Sequence, residues 1–341
     1  MTTVETPAPQ PSGTLSSGTL SSGSRLFTLA SRYGTLVAFL ALVVFNIAVT
    51  PNFLSWQTLN VNLTQVATIV IVATGMTLVI ATGGIDLSVG SLMAIAGALA
   101  PMIFMGQFWQ VENMAFAVLL ALLVPIFVAS LFGLFNGFLV TRFSIQPIIA
   151  TLVLFIAGRG IAQVMTNGNL QVFKNEGFQF IAMGRIAGIP AQVVLMIVIV
   201  ILASAMIRYT VIGRQIIAVG GNEKAARLTG IPVRRVKLLV YMISGALAGI
   251  AGLVVVARNS ASDANLVGLG MELDAIAAAA VGGTLLTGGR ANIIGTVLGA
   301  FVIQLVRYTL LANGVPDAAA LIVKAGLIVL AVFIQQRADR H

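Results

Sequence analysis

Three carboxylates, one arginine and a hydroxyl-bearing turn are the groups in this 341-residue sequence whose placement invites a chemical reading. Asp86 and Ser88 sit in Gly83-Gly84-Ile85-Asp86-Leu87-Ser88, which interrupts two apolar runs. Gly282-Gly283 and Gly288-Gly289-Arg290 interrupt two more in the second half. Glycine-broken apolar segments in both halves of a chain can mark where a polar solute exchanges hydrogen bonds with a membrane protein. The same residues serve equally well as a tight turn in which Asp86 or Ser88 caps the next helix. Glu272 and Asp274 carry the same ambiguity at the start of another apolar run, where carboxylates suit the helix dipole. Their i, i+2 spacing puts them on different helix faces, which argues against a paired acid–base device.

Arg159 lies within an apolar run, flanked by Gly158 and Gly160, with Gln163 one turn away. An ion in hydrocarbon needs a partner or a wet cavity, so a carboxylate or backbone carbonyls must meet it. Arg307 and Lys324 lie nearer the ends of runs and can snorkel to the surface. Asn136 and Gln65 read as hydrogen-bonding links between helices. There is no cysteine, and His341, the single histidine, is the last residue, so neither thiolate chemistry nor a histidine metal site is expected. No catalytic or metal-binding set emerges.

These groups must be positioned by helices in a bilayer. The chain is 58% hydrophobic and 9% charged, with a mean hydropathy of +1.03, against about 25% charged in an ordinary soluble domain. Ten apolar runs follow one another: Tyr33–Thr50, Val61–Ala81, Ser88–Met105, Met114–Val140, Ile145–Met165, Ala191–Tyr209, Leu238–Ala257, Met271–Leu286, Ala291–Leu311 and Ala318–Ile334. Most approach the roughly 20 residues that cross the hydrocarbon. The expected fold is therefore all-α, with about ten transmembrane helices. Pairs such as Gly245 and Gly249, or Gly295 and Gly299, would let those helices approach closely. Residues 1–24, rich in Pro, Ser, Gly and Thr, read as a disordered tail, and residues 25–341 as one membrane domain. The net charge of +9 comes from cations concentrated in alternate connections. That asymmetry puts both termini in the cytoplasm and gives an even number of spans. No basic and aromatic array suits nucleic acid.

The longest basic connection, Arg208 to Lys237, contains a second readable device. Asn222 is a plausible N-cap, Glu223 and Arg227 suit opposite ends of a helix dipole, and Gly230 with Pro232 stops the helix. A short capped helix at 222–231 is either a surface connector or a docking element. In the second case Ala225 and Ala226 would admit a partner's groove, and Leu228 and Ile231 would supply apolar contact.

Three stretches carry a resemblance. They are Gly221-Asn222-Glu223-Lys224-Ala225-Ala226 with Gly230-Ile231, Lys237, Tyr241, Ser244-Gly245 and Ala248-Gly249; Ala81-Thr82-Gly83-Gly84-Ile85-Asp86-Leu87-Ser88-Val89-Gly90-Ser91; and Glu272-Leu273-Asp274-Ala275-Ile276 followed by Val281-Gly282-Gly283 and Gly288-Gly289-Arg290. In this order they resemble the sugar permeases of ABC importers, over roughly Val61 to Ile334. Asp263-Ala264-Asn265 and Ala291-Asn292 lean toward the galactofuranose-type members. The resemblance implies a non-enzymatic transport subunit in the inner membrane of a bacterium. It further implies a second permease chain, with a heterodimer favoured, and a sugar-binding protein outside. A cytoplasmic ATPase would dock on the coupling helix through Asn222, Glu223, Ala225, Ala226, Arg227, Leu228, Gly230 and Ile231. ATP and Mg would belong to that ATPase, since this chain lacks a Gly-x-x-x-x-Gly-Lys-Ser/Thr loop. Asp86, Ser88, Asn136, Arg159, Glu272 and Asp274 remain candidates for the pathway or for structural polar contacts. The alternatives are a ribose, xylose, galactoside or branched-chain amino acid permease of the same design, and an ion-coupled secondary transporter. The latter would favour mid-span carboxylates or histidines.

Overall fold

The computed structural model describes residues 22–107, 111–316 and, in part, 318–329, with side chains from Gly34 onward. The expected tail at 1–24 lies almost wholly outside the described residues, as do Lys324 and much of the last apolar run. Two compact units part at Gly34 and Thr35. The first contributes the start of α1 (Ser22–Val49); everything below concerns the second.

Eleven further helices follow: α2 (Trp56–Ala81), α3 (Val89–Phe104), α4 (Met114–Arg142), α5 (Pro147–Met165), α6 (Glu176–Met183), α7 (Ala191–Tyr209), α8 (Val211–Gly221), α9 (Glu223–Leu228), α10 (Val233–Asn259), α11 (Met271–Val281) and α12 (Ile293–Ala312). Among the described residues six helices, α2, α4, α5, α7, α10 and α12, are long and apolar enough to cross a membrane. The expected ten crossings are thus not all matched by long helices. Val89–Phe104 has 16 residues. The run expected to reach Leu286 stops at Val281 because Gly282 and Gly283 turn the chain, Gly283 with φ +80°.

Burial sorts the helices into two groups. α2, α3 and α10 form the interior, and nearly every residue of α3 is buried. α4, α5 and α7 turn apolar side chains outward, as a lipid-facing helix must. Close contacts run along glycine seams. Gly133 and Gly137 of α4 lie against Tyr241, Leu238 and Gly245 of α10, and Gly249 lies on Ala129. Gly295 and Gly299 of α12 meet Gly282 and Ala278 at α11. A side chain at any of these positions would push two backbones apart.

One end of the bundle carries four short strands. β1 (Gln171–Val172) pairs antiparallel with β4 (Ala261–Ser262), and β2 (Arg185–Ile186) with β3 (Ile189–Pro190). The β2–β3 turn takes positive φ at Ala187 and Gly188, which matches the twist of a two-residue hairpin. Phe104, Phe173 and Phe178 pack beneath β1, with ring centroids 5.0 to 5.6 Å apart. The opposite end carries α8 and α9.

Candidate functional site

The break between α2 and α3 builds a polar centre inside the bundle. α2 ends as Gly83 N–H and Gly84 N–H donate back to Ile80 and Val79 carbonyls, Gly83 at φ +78°. The chain then turns inward through Ile85 to Asp86. One Asp86 carboxylate oxygen accepts from the Ser88 backbone N–H at 3.1 Å and the Ser88 hydroxyl at 2.6 Å; the other accepts from the Ser244 hydroxyl of α10 at 2.8 Å. Asn136 of α4 donates to Ser88 Oγ at 2.8 Å, and Thr151 of α5 accepts from the Leu87 N–H at 3.1 Å. Asp86, Ser88 and Asn136 are fully buried, and no cation is among Asp86's hydrogen-bond partners. The Tyr241 hydroxyl lies beside Gly84, where a Cβ would strike it. Three helices, α4, α5 and α10, therefore close on one turn, and each contributes a polar group that water cannot reach.

A second polar group sits on the neighbouring side of α3. Arg159 of α5 donates to the carbonyls of Ala264 at 2.8 Å and Val267 at 2.6 Å, with a longer reach of 3.5 Å to Gly90. It thereby pins the irregular segment 263–270 that links β4 to α11. Asp263 and Glu272 supply negative charge around the guanidinium. Gly90 is the contact point, because a Cβ there would meet Gly268 O and the Glu272 carboxylate. Gln163 donates to Asn265 at 2.7 Å further along the same segment.

α9 projects at the other end. Asn222 Oδ1 accepts from the Ala225 N–H at 3.0 Å, and Gly230 at φ +82° ends the turn. Glu223 is held twice, by Arg227 at 2.8 Å and by Lys237 of α10 at 2.6 Å. Burial works against its charge, but the two cations outweigh that and hold its pKa below the ordinary value of 4.5. Ala226 is buried against α8 and α10, whereas Leu228 is 90% exposed. The root of α9 touches the root of the α2–α3 break. Gly220 packs on the Ala81 carbonyl, which also accepts from Gly289 N–H at 3.0 Å, and Gly288 lies against Gly83.

The structure thus brings Asp86, Ser88 and Asn136 together and places Arg159 with Glu272 in a separate group. Three expectations change. Asp86 does not cap α3; Ser88 holds the N-cap position without a side-chain cap bond, and Asp86 instead accepts from Ser88. Glu272 and Asp274 do lie in the first turn of α11, where the dipole favours them, but the cap itself is Gly270 in the left-handed region. Ala226 faces the bundle rather than a partner. Gln65 does join helices, accepting from Gln304 of α12. Thr151, Tyr241 and Ser244 complete the Asp86 centre although single positions in the sequence gave no reason to group them. The available signals were Tyr241 and Ser244-Gly245, which stand together in one of the resembling stretches; Thr151 carries none.

Residues 59–332 match the family described as "Branched-chain amino acid transport system / permease component". The ribose import permease protein RbsC of Escherichia coli is 39% identical over 322 residues, covering 93% of this chain and 98% of that protein. The galactofuranose transporter permease protein YtfT of Escherichia coli is 40% identical over 312 residues, 88% of each chain. The fructose import permease protein FruF of Bifidobacterium longum is 39% identical over 321 residues, 90% of this chain and 88% of that one. No solved structure matches.

Proposed function

The chain belongs to this family of membrane permease components, and from that premise we propose that it is the membrane-spanning subunit of an ATP-driven sugar importer. The observation that carries the ATP-driven reading is α9: a capped helix, tied to α10 through Glu223, presenting Leu228 outward. A helix so fixed transmits a push, and Leu228, at 90% exposure, stands free for a partner's apolar contact. On this reading a cytoplasmic ATPase, holding ATP and Mg, covers Lys224, Ala225 and Leu228, while Ala226 and Ile231 anchor the helix from beneath. The sugar cargo follows from the relatives, whose names specify ribose, galactofuranose and fructose. Identities of 39% and 40% do not favour galactofuranose over ribose.

The same reading sets the topology. On this reading the six long helices cross the bacterial cytoplasmic membrane together with α1, α3 and the segment containing α11, and α8 lies along the inner face. The tenth crossing is the apolar run read from the sequence at Ala318–Ile334, which lies largely outside the described residues. Both termini are then cytoplasmic. A second permease chain, different from this one on the galactofuranose-type reading, completes the pore, and a binding protein delivers sugar at the β1–β4 end. The Asp86 centre and the Arg159 pin hold the two irregular segments in place beside the pathway. Irregular backbone at membrane depth is tolerated only where protein or a water-filled cavity receives it.

Proteoliposomes containing this chain, its ATPase and its binding protein test the proposal. Labelled ribose, galactofuranose or fructose should accumulate only with ATP inside the ATPase-bearing compartment. Accumulation of leucine instead would favour the cargo named in the family description. Uphill uptake by the chain without any ATPase would sink the coupled reading.

A further inference from the structure

Beside α9 the surface opens into two adjoining hollows of about 320 and 530 Å³ that share Thr141, Arg227, Val233 and Arg234. Lys237 lines the first and Arg235 the second. Glu223 is the only acid on either wall, and it is already engaged by Arg227 and Lys237. Arg234 and Arg235 enter no ion pair among the described residues. Two adjacent arginines without a counter-charge, in a concave site, favour an anion.

A second observation says what kind. The ring of Phe138 on α4 lies 5.9 Å beneath the Arg234 guanidinium. Phe138 is also the last of the exposed apolar residues of α4, and the five nearest the hollows, Leu123, Phe127, Leu131, Phe135 and Phe138, are spaced four, four, four and three. That spacing puts all five on one face. At about 1.5 Å per residue the lane runs about 22 Å, longer than the about 15 Å of one leaflet's hydrocarbon. A basic hollow at the head of an apolar lane fits an amphiphile with a negative head.

We propose that this is a binding site for an anionic phospholipid, its phosphate between Arg234 and Arg235 and an acyl chain along the α4 lane. A free phosphate would use the hollow and ignore the lane. A second copy of this chain would bring its own Arg234 and Arg235 against these, like charge on like. Arg227 of α9 lines both hollows, so the headgroup rests against the seat of α9. The site requires only that the chain lies in a bilayer, and its failure would leave the transport reading untouched.

Native mass spectrometry of the full chain, purified in neutral detergent and given phosphatidylglycerol or phosphatidylcholine with the same acyl chains, tests the site. The expected result is at least tenfold preference for phosphatidylglycerol. Each arginine near the surface accounts for about fivefold, so Arg234→Gln with Arg235→Gln should lose about 25-fold and abolish the preference. Arg234→Lys with Arg235→Lys, which keeps the charge, should retain most of it and shows that the fold survives. Equal retention of the two lipids by the native chain would overturn the proposal, as would undiminished preference in the double glutamine variant. Full displacement by inorganic phosphate would mark a free-anion site instead. Chain-to-chain cross-linking through Leu131→Cys, in a protein with no other cysteine, would show a second copy on the lane and refute lipid there.

Discussion

Two carboxylates, Asp86 and Glu223, are held in opposite ways. Asp86 is fully buried and held by hydroxyls and a backbone amide. Glu223 is partly exposed and held by two cations. Inside the bundle a neutral donor suffices, because a low dielectric strengthens each hydrogen bond and makes its loss costly. At the surface water screens even a full ion pair, so two are spent on keeping one short helix in place. The interior centre is thus built for rigidity and the exposed helix for orientation.

The strongest way to break that contrast is Asp86→Ala. It strands the hydroxyls of Ser88 and Ser244 and the Ser88 N–H, each a buried donor. We expect a loss of about 3 kcal/mol, read as a lower melting temperature in detergent; a change within error would show that the centre is not structural. Gly220→Ala comes next. Its Cβ would collide with the Ala81 carbonyl, a backbone atom that cannot step aside. Overpacking of this kind costs about 2 kcal/mol, and a variant that melted like the native chain would deny that α8 and the α2–α3 break share a rigid junction. Leu228→Asp should leave melting unchanged within about 0.5 kcal/mol yet lower ATP-driven uptake about tenfold, equal to about 1.4 kcal/mol of docking. Loss of both stability and uptake would make Leu228 a packing residue.

The smallest effect belongs to Glu223→Gln, worth less than about 1 kcal/mol because the pairs are solvent-screened. Its pH dependence sharpens the contrast. The folded pKa is depressed, so the stabilisation is complete above the ordinary value of 4.5 and is lost as pH falls through the lower, folded value. Melting curves of the native chain and Glu223→Gln should therefore differ by a constant amount from neutral pH down to about 4.5 and converge below it. A difference that changed between pH 6 and 8 would contradict this.

Much of the helical frame was readable because hydrocarbon forces long apolar runs; Ala191–Tyr209 coincides with α7 at both ends. The stops of α9 were equally legible, since Asn222, Gly230 and Pro232 act within one or two turns of chain. What escaped depends on distance in sequence. Ser244 reaches Asp86 across 158 positions, and nothing local in either residue announces the other. The direction of Ala226 was missed for a related reason: which face of a two-turn helix is covered depends on α8 and α10, not on the helix. α8 itself was overlooked, its residues Val211–Gly221 being too short and too mixed to mark a span. Gly270 took the cap of α11 because a left-handed turn there needs no side chain, an outcome that carboxylates at Glu272 and Asp274 disguise.

Because the native chain has no cysteine, Leu228→Cys gives a single reactive thiol. Its labelling by a membrane-impermeant maleimide, with and without the ATPase subunit, reports on which face of the membrane α9 lies and what covers it. Labelling is expected in inside-out vesicles only, with protection when the ATPase is bound. Labelling from the outer face, or labelling that the bound ATPase leaves unchanged, would contradict cytoplasmic docking on α9.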